Sequence, residues 1–286
     1  MNVLVLGGTR FMGRHLVRAL LAGGYDVTIA TRGRTPDDFG DTVKRKIIDH
    51  GNGESMKPAL SGVTYDVVFD NLAFASNDVK RALDAVRCDK YIMISSTAVY
   101  DKHMDTREEQ FDPLHKPLIW CNRRDFAYDE SKRLAECALA QIYGNVPSVA
   151  VRFPFIIGPD DYIKRLHFYV EHIVRRKPMH IDNFSNQMAF VRSDEAGKFL
   201  AFLAGTNFCG VINGASEQTV SMEEIAAYVT RKTGCVPVLS ASGDEAPYNG
   251  EPAYSINVDK AKDIGFLFSP LKDWIFELVD KLIAAY

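Results

Sequence analysis

The segment Met1-Asn2-Val3-Leu4-Val5-Leu6 is a short unbroken apolar run that glycines end at once, as expected for a parallel strand buried on both faces. Phe11, His15, Leu16, Ala19 and Leu20 then recur at helical spacing, and Gly23-Gly24 marks the end of that helix. Further apolar runs predict strands at Val27–Ala30, Lys46–Ile48, Asp66–Asp70 and Tyr91–Ile94. Between the last two, Val79, Ala82, Leu83 and Val86 form one face of a predicted helix. A polar stretch from Asp101 to Asp125 precedes a helix over about 125–143, and Ser148–Phe153 reads as the sixth strand. Strands alternating with helices predict the α/β class, a doubly wound parallel sheet of the Rossmann type.

Beyond Gly158-Pro159 the regularity falls away. Helical patterns recur over 163–176 and 194–203, followed by a short strand at Val211–Asn213. Ser221-Met222-Glu223-Glu224 reads as a capping box, and 271–285 as a terminal amphipathic helix. No repeat or flexible linker interrupts the chain. The expected organisation is a nucleotide-binding domain over 1–158 and a smaller, mostly substrate-binding lobe over 159–286. Segments about 190–215 are expected to return to the core.

Composition narrows the class of protein. With 47% hydrophobic and 25% charged residues the chain reads as soluble and globular. A net charge of -3 gives no excess of cations for a nucleic-acid backbone, so no nucleic-acid partner is expected, although a local basic patch stays open. Cys88, Cys121, Cys137, Cys209 and Cys235 show no metal or redox spacing, and His167 and His172 lie five apart, so no metal is expected. The opening apolar run is too short for a secretory signal, and none approaches membrane-spanning length. A cytoplasmic protein without a membrane partner is the expectation.

Gly7-Gly8-Thr9-Arg10-Phe11-Met12-Gly13 lies between the first strand and the first helix. Gly7 permits the tight turn, Gly13 lets the helix approach the strand, and the free N–H groups at the helix start suit a pyrophosphate. The alternative is a glycine-rich turn with no ligand. A ribose-binding carboxylate is usual at the end of the second strand, but here that end reads Thr31-Arg32-Gly33-Arg34. A guanidinium grips a 2′-phosphate that a carboxylate would repel, so NADP(H) is expected ahead of NAD(H), with Arg10 helping from the turn. The plainer reading leaves these arginines solvated.

Tyr128-Asp129-Glu130-Ser131-Lys132 puts a phenol and an ammonium on one helical face. Tyr228 and Lys232 match the spacing too, but only Tyr128 lies between the fifth and sixth strands. A free phenol titrates at about 10 and is a poor base near neutrality. The expectation is that Lys132, with the positive ring of a nicotinamide cofactor, lowers that value, so that Tyr128 takes or returns a hydroxyl proton during hydride transfer. Ile94-Ser95-Ser96-Thr97-Ala98-Val99-Tyr100 supplies hydroxyls at the end of the fifth strand to orient a substrate oxygen.

Taken together these motifs resemble the extended or atypical short-chain dehydrogenases/reductases, the NAD-dependent epimerase/dehydratase family. Arg152–Pro159 (RFPFIIGP), Phe190–Ala196 (FVRSDEA) and Val258–Phe266 (VDKAKDIGF) extend the resemblance nearly end to end. It implies an NAD(P)-dependent oxidoreductase or epimerase acting on a hydroxyl or carbonyl carbon, often of a nucleotide sugar. The implied catalytic residues are Ser96, Tyr128 as general acid/base, and Lys132 as its partner and ribose ligand. Implied cofactor contacts are Gly7, Thr9, Arg10, Phe11, Met12, Gly13, Arg32 and Phe153, with Asn71, Leu72 and Ala73 near a ribose and Asp49 near adenine.

The chain departs from the family in three places. Arg10 replaces a common middle glycine, Arg192 replaces a frequent His or Tyr, and Thr97-Ala98 stand where dehydratases carry Asp-Glu, which disfavours dehydration. Lys164, Arg165, Arg175, Arg176, Lys177 and Arg192 are candidates for a substrate diphosphate clamp. The alternative is a non-catalytic dinucleotide-sensing regulator or RNA-binding relative of the same fold, since chloroplast stem-loop-binding relatives share the "GGTRF" start. Regulators of this kind commonly lack the Tyr and Lys. A homodimer through the Val79–Val86 and Tyr128 helices is typical of relatives, though the same apolar faces suit simple cover of the sheet.

Overall fold

A computed structural model describes all residues from 1 to 286. In chain order it runs β1 (Asn2–Leu6), α1 (Phe11–Ala22), β2 (Asp26–Thr31), β3 (Lys44–Ile47), α2 (Gly53–Leu60), β4 (Thr64–Asp70), α3 (Ser76–Leu83) and β5 (Arg87–Ser96). Next come α4 (Tyr128–Ile142), β6 (Ser148–Phe153), β7 (Phe155–Ile157), α5 (Arg165–Val174), β8 (Pro178–His180), β9 (Phe190–Arg192) and α6 (Ser193–Ala204). The chain closes with β10 (Gly210–Asn213), α7 (Met222–Thr233), β11 (Val238–Leu239), β12 (Asp244–Glu245), α8 (Asp259–Asp263) and α9 (Leu271–Ile283).

Seven of these strands form one parallel sheet in the order β10-β6-β5-β4-β1-β2-β3. The pleat explains the alternation inside β1. Val3 and Val5 join Leu16, Val17 and Leu20 of α1 and Phe199 of α6 on one face. Leu4 and Leu6 join Met56 of α2, Val79 of α3 and Ala135 of α4 on the other. Burial on both faces is why these strands carry no polar alternation.

Register then places the chemistry. Leu6 pairs with Ala30 and Asp70, Ser96 with Phe153, and Arg152 with Asn213, so the carboxyl ends of six strands share one edge. Connectivity reverses between β1 and its neighbours β2 and β4, and the crevice beyond such a switch point is where this architecture takes ligands.

The remaining elements build the lobe. α5, α7 and α9 pack on one another, β8 is flanked by β11 and β12, and β7 pairs with β9. The capping box forms as read, with Ser221 Oγ accepting from Glu224 N at 3.1 Å and Glu224 Oε2 accepting from Ser221 N at 2.9 Å. Several short elements went unread in the sequence. α2 carries Pro58 near its end, and β8, β11 and β12 are two or three residues long, too short for any periodicity. β3 spans Lys44–Ile47, earlier than the apolar pair Ile47-Ile48 suggests, because the edge strand pairs through Lys44 and Arg45. No helix is long and apolar enough to cross a membrane.

Candidate functional site

The turn after β1 is shaped for an anion. Gly7 and Gly8 both sit at φ +100°, a region side chains rarely adopt, and Gly7 N donates to Ala30 O. A Cβ on Gly13 would lie 2.9 Å from Gly8 Cα and 3.2 Å from Asn71 Nδ2, so only glycine lets α1 come this close. α1 has Arg10 at its N-cap, no side-chain cap and no acidic residue in its first turn. Its leading N–H groups therefore have no internal partner and face the crevice.

Beside this turn the Asn71 amide is buried with neither Oδ1 nor Nδ2 hydrogen-bonded. A buried unpartnered amide costs free energy unless a ligand completes it. The open helix end, the space left at Gly13 and this amide together fit the pyrophosphate and adjoining ribose of a dinucleotide.

A groove of about 730 Å³ runs over these groups. Of the sequence-predicted cofactor residues, Gly7, Thr9, Arg10, Phe11, Met12, Gly13, Arg32, Asp49, Asn71 and Leu72 line it. Ala73, Lys132 and Phe153 do not. Ala73 is buried but offers its carbonyl to Lys132, and Phe153 packs on Phe199 in the core. At the β2 end, Arg10, Arg32 and Arg34 line the groove and none is ion-paired; Arg10 Nε donates to Thr35 Oγ1 at 3.1 Å. Nearby Asp37 and Asp38 are engaged by Arg45 and by Arg14 and Arg18. Asp49 accepts from Gly51 N within its own turn.

The wall between β4 and α3 is held by two carboxylates. Asp70 accepts from Leu72 N at 2.8 Å, Tyr91 Oη at 2.7 Å and His50 Nε2 at 3.0 Å. Asp78 accepts from Phe74 N and Ala75 N, both at 3.0 Å, and pairs with Arg81. His50 lies between them, with Nδ1 at 3.9 Å from Asp78. Burial opposes its charge, but attraction to Asp70, their hydrogen bond and attraction to Asp78 outweigh that and hold the imidazole pKa above its ordinary value. Sequence reasoning missed this cluster, because its members are scattered over β4, α3, β5 and the turn after β3.

Lys132 is 3% exposed, and its Nζ donates to Ala73 O and Ile94 O, both at 2.7 Å. It ties the wall to β5. Burial pushes its ammonium down to about 8, while Asp70, Glu136 and Asp78 pull the other way. Its Nζ also lies 4.7 Å from the Phe74 ring centre, and Arg123 covers that ring at 3.5 Å.

Tyr128 opens α4 beside Phe74, a residue of the groove, with ring centres 6.3 Å apart, and is half exposed at 51%. Protein crowds its hydroxyl, and that desolvation raises the phenol pKa; Ser96 beside it, Arg165 and Arg123 favour the phenolate. Lys132 is not among the groups acting on the phenol here, since its ammonium is held on backbone carbonyls. Ser96 Oγ sits at the end of β5 and accepts from Ala98 N at 3.2 Å. The fold thus brings Ser96 and Tyr128 together and places Lys132 behind them.

The other Tyr-x-x-x-Lys pair has a structural task. Tyr228 Oη and Lys232 Nζ both reach Asp280, joining α7 to α9. Among the diphosphate-clamp candidates, Arg175 and Lys177 pair with Glu171, and Arg192 pairs with Asp194. Lys164 and Arg176 are exposed, and only Arg165 acts on Tyr128.

Residues 3–83 match the family described as "NAD dependent epimerase/dehydratase family". The chain is 26% identical over 255 residues to the chloroplast stem-loop binding protein of 41 kDa b from Arabidopsis thaliana, a match covering 82% of this chain and 63% of that protein's length. Among solved structures it is similar to UDP-glucuronic acid 4-epimerase from Bacillus cereus in complex with NAD, at TM-score 0.75 and 19% identity over 99% of this chain and 100% of that one. The dTDP-glucose 4,6-dehydratase from Bacillus anthracis, also in complex with NAD, aligns at TM-score 0.76 and 18% identity over 98% and 96% of the two chains.

Proposed function

We propose that this chain, whose residues 3–83 match the NAD-dependent epimerase/dehydratase family, is an NAD(P)-dependent oxidoreductase or epimerase acting on a hydroxyl or carbonyl carbon, with a nucleotide sugar as the substrate to test first. The observation that carries this reading is the Tyr128 phenol beside Ser96, its ring against Phe74, which lines the groove over the glycine turn. When bound, the dinucleotide supplies a hydride donor or acceptor. Gly7, Gly13, Asn71 and the first N–H groups of α1 would hold its pyrophosphate and ribose.

Each remaining role belongs to a named side chain. Ser96 Oγ orients the substrate oxygen by hydrogen bonding. Tyr128 holds its proton at neutral pH, as a phenol titrating at about 10 does even unperturbed, and so donates to a forming alkoxide; in the reverse direction it receives that proton with Ser96, Arg165 and Arg123 favouring the phenolate. Lys132 fixes the groove wall through Ala73 O. The unpaired guanidiniums of Arg10, Arg32 and Arg34 support NADP(H), since they suit a 2′-phosphate and the end of β2 offers no ribose carboxylate. Thr97-Ala98 supply no acid to expel a hydroxyl, which supports epimerisation or simple oxidoreduction ahead of dehydration.

Tyr128→Phe tests the reading. Turnover of nucleotide sugars, followed by NADPH absorbance and product chromatography, should fall by about 10²–10⁴-fold. Dinucleotide affinity should be nearly unchanged. Undiminished turnover would overturn the assignment. The name of the Arabidopsis relative makes stem-loop RNA the competing ligand. Tight binding of a stem-loop RNA that survives Tyr128→Phe, with no sugar turnover in either protein, would favour that reading instead.

A further inference from the structure

The groove stops short of the reacting phenol. Phe74 and Arg123 line it, whereas Ser96, Tyr128 and Lys132 do not. Phe74 is the residue the two regions share. Its ring centre lies 6.3 Å from that of Tyr128 and 4.7 Å from Lys132 Nζ, and the Arg123 guanidinium covers it at 3.5 Å. A cation in van der Waals contact with the ring leaves no room for a ligand between them. Lys132 has three N–H groups; Ala73 O and Ile94 O take two, and the Phe74 ring is the partner left for the third. The backbone around this ring is pinned. Phe74 N and Ala75 N donate to Asp78 Oδ2, both at 3.0 Å, and Ala73 O accepts from Lys132. The stretch leading to Arg123 is tied to α3 by Ser76 Oγ, which donates to Ile119 O and accepts from Cys121 N, both at 2.8 Å. The Arg123 side chain is exposed and forms no ion pair or hydrogen bond, so stacking on Phe74 is what holds it. Two side chains can therefore move here without breaking a backbone bond.

We propose that Phe74 is a gate: its ring, held by Lys132 and Arg123, closes the passage from the groove to Tyr128 and swings aside to admit the nicotinamide end of the dinucleotide. This rests on the dinucleotide reading above and adds a conformational step to it. The ADP-ribose end needs no such step, because the glycine turn, Asn71 and the arginines after β2 already line open space. The closed ring is held firmly enough to matter and weakly enough to open. A cation on an aromatic face shifts an equilibrium a few-fold when exposed, as at Arg123, and about 30-fold when desolvated, as at Lys132. Together they favour the closed ring by about 10–100-fold, and that factor is taken from whatever affinity the nicotinamide end supplies. Opening also uncovers the third Lys132 N–H toward the vacated space.

The test titrates each dinucleotide and its fragment lacking nicotinamide: NADPH with 2′-phospho-ADP-ribose, and NADH with ADP-ribose. Calorimetry reads binding without turnover. In the natural protein the preferred dinucleotide and its fragment should bind within about threefold of each other, because the closed ring offsets the gain at the nicotinamide end. Phe74→Ala should raise the preference for the dinucleotide about tenfold or more. Arg123→Gln, a change at an exposed side chain, should raise it about two- to fivefold. A ratio that either variant leaves unchanged overturns the gate, as does a preference above about tenfold already present in the natural protein. A lower ratio in Phe74→Ala also overturns it, and would make the ring a platform for nicotinamide. In each of these cases binding of the fragment leaves the dinucleotide site standing. Failure of all four compounds to bind removes the site and the gate together.

Discussion

Replacing Arg152 by Met should destabilise the protein more than almost any other single change. Arg152 on β6 is 0% exposed and its guanidinium is fully engaged. Nε donates to both Glu136 oxygens at 3.0 and 3.1 Å, Nη1 to Tyr100 Oη and Glu108 O at 2.9 Å, and Nη2 to Phe111 O at 3.0 Å. Tyr100 passes the network to Asn213 on β10, and Glu108 accepts from Asn213 N. Removing the guanidinium leaves the Glu136 carboxylate 1% exposed with the Ser95 hydroxyl as its remaining donor. Breaking one side of a buried pair typically costs about 3–5 kcal/mol, because the surviving charge is left uncompensated. Removing both charges with Glu136→Gln and Arg152→Met should cost clearly less than the two single changes summed. Urea denaturation followed by tryptophan fluorescence measures all three. α4 carries both Glu136 and Tyr128, so turnover in Arg152→Met should fall as well, while dinucleotide affinity, set at the turn before α1, should hold. A single-variant loss under about 1 kcal/mol, or costs that simply add, would refute the account.

Other consequences can be measured directly. Gly13→Ala forces a Cβ to within 2.9 Å of Gly8 Cα, and titration should show dinucleotide affinity falling by about tenfold or more with a stability loss of roughly 1–3 kcal/mol. Arg32→Ala with Arg34→Ala should weaken NADPH about 10–100-fold and leave NADH within error, as judged by fluorescence titration; an equal loss for both would place the 2′-phosphate elsewhere. His50 has a raised folded-state pKa, so its contribution to stability is complete below its ordinary value of 6.5 and is lost as pH rises through the raised one. Urea midpoints of the natural protein should therefore fall across that rise, and His50→Gln should remove the step. A step of equal size in the variant would assign the titration to another group.

Much of the cofactor end was legible because its determinants are local. The turn from Gly7 to Gly13 needs only neighbouring residues, and β1, α1 and β2 announce themselves by apolar runs and a glycine stop. Tyr128 and Lys132 were found from their spacing and their place between two strands. The direction of the phenol's pKa was not legible, since it depends on desolvation by residues that pack around the hydroxyl only in the folded chain. Phe74 and Arg123 meet across the groove only after α3 and the long 101–125 segment pack together. The lobe was hardest to read. Its strands are two or three residues long and are set by pairing with one another, a tertiary effect without local pattern.

One apolar core runs without a break from Val3 and Leu16 under the sheet to Tyr169, Val229 and Val279 in the lobe. Two bodies fused in this way cannot rock apart like the halves of a clamshell without exposing that continuous interior to water. Admission to the crevice therefore falls to its rim, to the stretches 32–43 and 100–127 and the turn before α5. Trimming or stapling those edges should therefore alter exchange of ligand far more than it alters the resting shape.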